Sequence, residues 1–380
     1  MMRELRELIA DRIRASGPIS FAEFMELALY HPELGYYARA AQKTGRAGDF
    51  FTSVDVGALF GELLARQFAE MWHLLEKESG QEGVGPHFDL VEAGAGNGRL
   101  ARDILDAAER IDRDFYGAIR LSLVEQSAAA RAAHLATLGP HASLLRHSSS
   151  ALPQQVQGVI FANELLDALP THAVIMTPNG LREIFVDLAA ATGTGEAAHF
   201  VERFEAPTSP DIAQYLARAG AEMRQGWRAE VNLASEAWIE NAAATLEKGF
   251  LLIIDYGHDE TELYSGSHAA GTLTSFARHS QGGDVLQHPG DTDITAHVDL
   301  TAITRAAERR GLDVLGRLDQ TYFMLGLGLT ELDGMSLARR LALKTLLMPG
   351  GLGSTHKVLV FGKRVGTPAL KGLSYRMRLT

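Results

Sequence analysis

No cysteine occurs among the 380 residues of the chain. That absence removes disulfides, thiolate metal sites and thiol nucleophiles together. No uninterrupted apolar run reaches the ~18 residues of a membrane-spanning helix. The phosphate-loop pattern GxxxxGK[ST] and the GxSxG nucleophile elbow are both missing, so nucleotide-triphosphatase and serine-hydrolase chemistry have no support. Positive charge is in short supply, with 36 Lys and Arg against 47 Asp and Glu and a formal net charge of −11. Nucleic-acid binding needs basic patches that displace counterions, so no nucleic-acid partner is expected. The 12 prolines and 38 glycines are too few and too scattered for a disordered or fibrous chain.

What is present is an ordinary globular composition, 46% hydrophobic and 22% charged, long enough for one large core and a second lobe. The stretch "MMRELRELIADRIRASG" sets Glu4, Glu7 and Asp11 among arginines, which neither a signal peptide nor a transit peptide tolerates. Leu5, Leu8, Ile9 and Ile13 mark one face of a helix instead. The expected compartment is cytoplasmic, with no membrane partner. "FAEFMELALY" and the run from about Val56 are further helices, and "SGQEGVGP" at 79–86 reads as a linker.

The rhythm then changes. Apolar strands at 88–93, 120–126, 143–147, 158–163 and 250–257 alternate with helical stretches such as "RLARDILDAAERI". Such alternation predicts an α/β fold with a parallel sheet covered on both faces. The stretches 321–329 and 357–364 are expected to close the sheet as an antiparallel hairpin. Between Asn163 and Phe250 the chain carries a hairpin turning at Asn179-Gly180, then helices near 211–225 and 235–247.

Ligands of an open α/β sheet bind beyond the carboxyl ends of its strands, so the residue after each strand matters most. After the first strand comes "EAGAGNG", with Gly94, Gly96 and Gly98 opening a helix. Arg99 breaks the dinucleotide pattern GxGxxG, and Glu92 suits a cation better than a pyrophosphate. S-adenosylmethionine carries an ammonium and a sulfonium. Glu125, in "LVEQ" with Gln126, stands where an acid can accept the ribose hydroxyls of an adenosine. The fourth strand runs into "IFANELLDALP". Asn163, Glu164 and Asp167 there are acceptors that can orient N–H groups or clamp a guanidinium, and equally Asn163 can cap a helix starting at Glu164. Asp255 and Tyr256 end the fifth strand beside the same cleft, and His297 is a candidate proton acceptor. Five histidines lie between 258 and 297, but without HExxH and at spacings of 9–11 they do not predict a compact metal site, so no metal is expected.

Several stretches together, "HPELGYYA", "GDFFTS…LFGELLA", "LVEAGAGNG", "LVEQS", "ANELLDALP", "IIDYG" and "PGDTDITAHVDL", resemble the MidA-like family of S-adenosylmethionine-dependent methyltransferases. The resemblance implies a class I methyltransferase fold, a Rossmann-like seven-stranded sheet with a helical N-terminal region and an insertion after the fourth strand. It divides the chain into a helical N-terminal region at 1–80 closing over the cofactor, a core at 81–163 and 250–380, and a substrate-side insertion at 164–249. It implies S-adenosylmethionine as cofactor, held by Asp49, Thr52, Glu92, Gly94, Gly96, Gly98, Glu125, Gln126 and Asn163. It places Asn163, Glu164, Asp167, Glu230, Asp255, Tyr256 and His297 on the acceptor side. The mitochondrial branch of the family is associated with symmetric dimethylation of an arginine in a respiratory complex I subunit. The chain departs from the family in reading Val54-Asp55-Val56-Gly57 where Pro-Glu-Ile-Ser is common. The expected acceptor is a protein arginine, with a small-molecule acceptor or a non-catalytic assembly role as alternatives.

Overall fold

Alternating apolar residues decide where the strands go. In the computed structural model, Val159 and Phe161 of Val156–Asn163 point to one face of a sheet and Ile160 and Ala162 to the other, and all four are buried. Burial on both faces is what a central parallel strand requires. The structure describes residues 2–40, 58–79, 87–189, 199–277, 280–282, 284–329 and 355–375. Contacts group the chain into two compact units, one of 1–50, 166–238 and 257–303, the other of 51–165, 239–256 and 304–380.

The second unit holds the parallel sheet. Its strands are β1 (Phe88–Ala93), β2 (Ile119–Val124), β3 (Leu145–Ser149), β4 (Val156–Asn163), β5 (Leu246–His258), β6 (Asp313–Asp319) and β7 (His356–Lys363). They lie in the order β3-β2-β1-β4-β5-β7-β6, and the two-residue strand Val298–Asp299 pairs off this path with the end of β5. β1 to β5 pair in parallel, and β7 runs antiparallel to both β5 and β6. Helices α1 (Leu59–Ser79) and α2 (Arg99–Ile111) bury Leu63, Phe68, Trp72, Leu100, Ile104 and Leu105 in the same cluster as Phe161, Phe250 and Leu252. Phe68 meets Phe161 at a ring distance of 5.0 Å. Gly158 and Gly249 face each other across β4 and β5, and a Cβ on Gly249 would lie 2.0 Å from the Gly158 carbonyl oxygen.

The first unit is built on an antiparallel sheet, in which Gly180–Leu188 lies between Ile19–Ser20 and His172–Thr177, with Arg228–Val231 beyond. Phe200–Glu205 also pairs with Gly180–Leu188. Helices Met2–Ser16 and Phe21–Tyr30 bury Leu5, Ile9, Phe24 and Met25 with Ile184, Val186 and Phe200. Ser20 caps the second of these helices through the Glu23 amide.

Three expectations change. Residues 1–80 do not stand together, because 2–40 pack with the segments around 166–238 while α1 covers the parallel sheet. The segment 257–303, expected in the core, also belongs to the first unit. The stretch expected as a strand at 321–329 begins as the helix Gln320–Gly326, and Asp313–Asp319 takes the strand's place in the sheet. A short apolar run has no period that separates strand from helix, and Gln320, Phe323, Met324 and Leu327 are buried at helical spacing. No helix among the described residues is long and apolar enough to cross a membrane.

Phe161 is fully buried on the central strand. Phe161→Ala is expected to destabilise the sheet unit by about 3–5 kcal/mol, the range for truncating a buried aromatic. Chemical denaturation followed by circular dichroism measures this, and a change under about 1 kcal/mol would mean that the site collapses or is not core.

Candidate active site

The glycine turn after β1 is shaped by its backbone. Gly94, Gly96 and Gly98 have φ of 72°, 52° and 85°, the left-handed region that disfavours any side chain by roughly 1–2 kcal/mol. The amides of Gly94 and Ala95 donate to the Val124 carbonyl at 2.9 and 3.1 Å, tying the turn to β2. Glu125 completes the tie, since its Oε2 accepts from the Gly96 amide at 2.9 Å and its Oε1 from the Ser127 amide at 2.8 Å. Each carboxylate oxygen keeps a second acceptor direction for a ligand hydroxyl. Gln126 is exposed, and its amide donates to the Ser150 carbonyl. Asp49 and Thr52 lie outside the described residues.

Sequence reasoning missed His134. It sits on the helix Ala128–Leu138 in line with buried Ala130 and Leu138, a stripe that reads simply as packing. Its Nε2 lies 2.9 Å from the Gly96 carbonyl oxygen and its Nδ1 2.9 Å from Ser148 Oγ. A carbonyl only accepts, so Nε2 carries the proton and Nδ1 accepts from the serine. Burial pushes its pKa below that of an ordinary histidine, which keeps this neutral tautomer and braces the turn.

Glu92 is 4% exposed, and its Oε2 has no hydrogen-bond partner among the described residues. Burial first, with the Glu125 and Asp103 charges adding, raises its pKa well above the usual carboxylate value. An unsatisfied buried carboxyl of this kind calls for a cationic or hydrogen-bond-donating ligand.

The end of β4 departs from the expected helix cap. No helix starts at Glu164, which has φ of 52°, and the chain turns through Leu169. A non-glycine residue in this region stores about 1–3 kcal/mol, and such strain concentrates at functional sites. Asp255 holds the turn. It is fully buried and its carboxylate accepts from the amides of Leu165 and Tyr256, so it builds the site from below instead of facing a cleft. Asn163 Nδ2 donates to Glu164 Oε1 at 3.2 Å, and Asn163 Oδ1 is buried without a partner among the described residues. His356, also missed from the sequence, brings Nε2 to 3.6 Å from Glu164 Oε1. It sits opposite Tyr256 in the β5–β7 register, with the two rings edge-to-face at 5.5 Å.

The remaining candidates belong to the other unit. Asp167 is buried and its carbonyl accepts from the Ala296 amide; burial, with the Asp293 charge and to a smaller extent Asp167 adding, pushes the Tyr37 hydroxyl pKa upward. Glu230 is a brace, because its Oε2 accepts from both the amide and the hydroxyl of Thr272 at 2.8 Å. Burial raises its pKa. The same Thr272 hydroxyl accepts from the His297 amide at 3.1 Å. His297 clusters with His258 and His268, ring centroids 4.7–5.9 Å apart, contrary to the spacing argument against a compact histidine group. Desolvation, with His258 and His268 nearby, lowers the His297 pKa to about 4.

A sheet of order 3-2-1-4-5-7-6 with an antiparallel seventh strand, and a glycine turn at the end of its first strand, defines the Rossmann-like methyltransferase class. Residues 63–318 match the family model Methyltransf_28, of S-adenosyl-L-methionine-dependent methyltransferases, and the chain belongs to this family. The mouse protein arginine methyltransferase NDUFAF7, mitochondrial, is 30% identical, over 92% of this chain and 78% of its own. The Drosophila melanogaster homolog is 29% identical, over 84% of this chain and 74% of its own. A solved COG1565 superfamily member from Burkholderia thailandensis, bound to S-adenosyl-homocysteine, is 30% identical with a TM-score of 0.85, covering 98% of this chain and 95% of its own. The MidA-like resemblance and S-adenosylmethionine as cofactor therefore stand. The expected cytoplasmic location is overturned, since these curated relatives are named mitochondrial.

The residues fit the cofactor. A Cβ built on Gly96 meets nothing within 4 Å, so that side of the turn is open to a ligand, and Glu92 offers a buried carboxylate to an ammonium. A cation beside Glu92 favours its ionised form, so cofactor affinity should rise with pH through the raised pKa of the free carboxyl. By the same sign, Glu92's contribution to the stability of the free protein is present at low pH and is lost as pH rises through its folded-state pKa. Calorimetry of S-adenosylhomocysteine in buffers of different ionisation enthalpy reads the released proton, and Glu92→Gln should abolish it. Equal proton release in the two proteins would remove Glu92 from the site. Glu164→Gly should relieve the left-handed strain and stabilise the protein by about 1 kcal/mol. A loss of stability in denaturant titrations would show instead that the Glu164 contacts outweigh the strain.

Proposed function

We propose that the chain transfers the methyl group of S-adenosylmethionine to a guanidinium nitrogen of a protein arginine, with Asn163 and Glu164 presenting that nitrogen. The observation that carries this reading is Glu164 itself, a carboxylate whose side chain is 8% exposed, held in left-handed backbone at the end of β4. The arginine methyltransferase names of the mouse and fly relatives support the same acceptor.

Bound S-adenosylmethionine supplies an electrophilic methyl on a sulfonium. Glu92 and the turn from Gly94 to Gly98 would hold the cofactor at the end of β1, with His134 bracing that turn. Glu164 accepts N–H groups of the acceptor, a charge-assisted pairing suited to the planar guanidinium. The Asn163 side-chain oxygen Oδ1, otherwise without a partner among the described residues, accepts another. These contacts would orient the guanidinium toward the methyl donor and hold one nitrogen ready for transfer. Transfer of the cofactor's methyl to that nitrogen would leave one surplus proton on the acceptor. Glu164 takes it, with the His356 ring 3.6 Å away beside the carboxylate.

Glu164→Gln keeps the volume and removes the base. It should lower methyl transfer by about 10²–10⁴-fold while S-adenosylhomocysteine binding is retained. Labelled S-adenosylmethionine incubated with a cell lysate, followed by mapping of methyl marks, should show methylarginine with the wild type and not with this variant. Equal marks from both proteins, or marks on residues other than arginine, would sink the assignment.

A further inference from the structure

We propose that His258, His268 and His297 form a site for one divalent transition-metal ion of imidazole preference, such as zinc, cobalt, nickel or copper. The site goes beyond methyl transfer and assigns His297 to ligation instead of proton transfer. One ring nitrogen from each residue lies within 4.8 Å of the others. A tetrahedral ion with metal–nitrogen bonds of about 2.0–2.1 Å needs its ligand nitrogens about 3.3 Å apart, a closure reachable by small side-chain rotations.

The ring orientations favour ligation. His268 Nδ1 lies 3.0 Å from the Glu262 carbonyl oxygen, and a carbonyl only accepts, so Nδ1 carries the proton and Nε2 presents a lone pair. His258 Nδ1 lies 3.2 Å from the Glu262 carboxylate, the same arrangement with a stronger acceptor. A carboxylate or carbonyl behind an imidazole is the usual support of a metal-bound histidine. One residue, Glu262, supplies both supports.

Each ligand comes from a separately anchored segment. His258 ends β5, where Gly257 and His258 pair with Val298 and Asp299, which brings His297 alongside. His268 closes the short helical turn Gly266–His268. The His297 amide is fixed by Thr272, itself held by Glu230. All three histidines are half-buried, so an ion can enter and a fourth position is left to water. Three imidazoles select against calcium and magnesium, which need oxygen ligands.

The test uses the tag-free full chain, treated with chelator and dialysed, then titrated with cobalt(II). One equivalent should bind and give the intense visible absorption of a tetrahedral site, and zinc should displace it. His268→Ala should weaken binding by at least about 100-fold and Glu262→Gln by about 10–100-fold. His147→Ala, at an exposed histidine outside the group, should change nothing. Zinc should raise the melting temperature of the wild type and of His147→Ala but not of His268→Ala. Because Glu262 lends only support, its variant keeps the test decisive if His268→Ala fails to fold. Absence of saturable one-to-one binding, an octahedral spectrum, or equal weakening by His147→Ala would overturn the proposal.

Discussion

Backbone pairing of β4 with β1 on one side and β5 on the other sets the level of everything functional in the sheet unit. The register places Glu92 beside Phe161, Ala93 beside Ala162 and Ile254 beside Asn163. The glycine turn and the Glu164 turn therefore leave the sheet at one height, level with the Asp255–Tyr256 pair of β5. A slip of one residue would exchange the faces of β4, sending Phe161 away from Phe68 and Glu164 away from His356. The facing glycines Gly158 and Gly249 permit the close approach that keeps this register, since a side chain on either would strike backbone.

Acids serve two physical ends here, and burial alone does not separate them. Asp255 and Glu230 are buried and satisfied, each taking donors from a neighbouring turn. Glu125 is intermediate, bound to the loop it shapes but with acceptor capacity left over. Glu92 keeps one oxygen unsatisfied, and Glu164 sits in strained backbone. Unmet hydrogen bonding and strain, not the count of carboxylates, separate these two from the acids that brace the fold. The histidines divide similarly. His134 spends both ring nitrogens on structure, while His268 has one nitrogen at the Glu262 carbonyl and lies in a group with His258 and His297.

The placement of the motif residues at the ends of β1, β2, β4 and β5 was legible because strand ends follow apolar runs. The hairpin at Asn179-Gly180 was legible for a similar reason, as the turn chemistry is local. The helix Gln320–Gly326 was not, because its apolar run is too short to carry a period. His134 and His356 were invisible in sequence. Neither stands in a recognisable motif, and only its partner, Gly96 or Glu164, gives it meaning.

The sequence by itself determined the α/β class, the strand order's raw material, the glycine turn and the family, since all of these depend on local periodicity and short contiguous motifs. Tertiary structure alone decided which acids are satisfied, that Glu164 is left-handed instead of starting a helix capped by Asn163, and that residues 2–40 pack with 166–238. It also decided that histidines at 258, 268 and 297 converge. Those outcomes depend on contacts between residues far apart in the chain, whose closure is governed by sheet pairing and packing, and no local pattern encodes them.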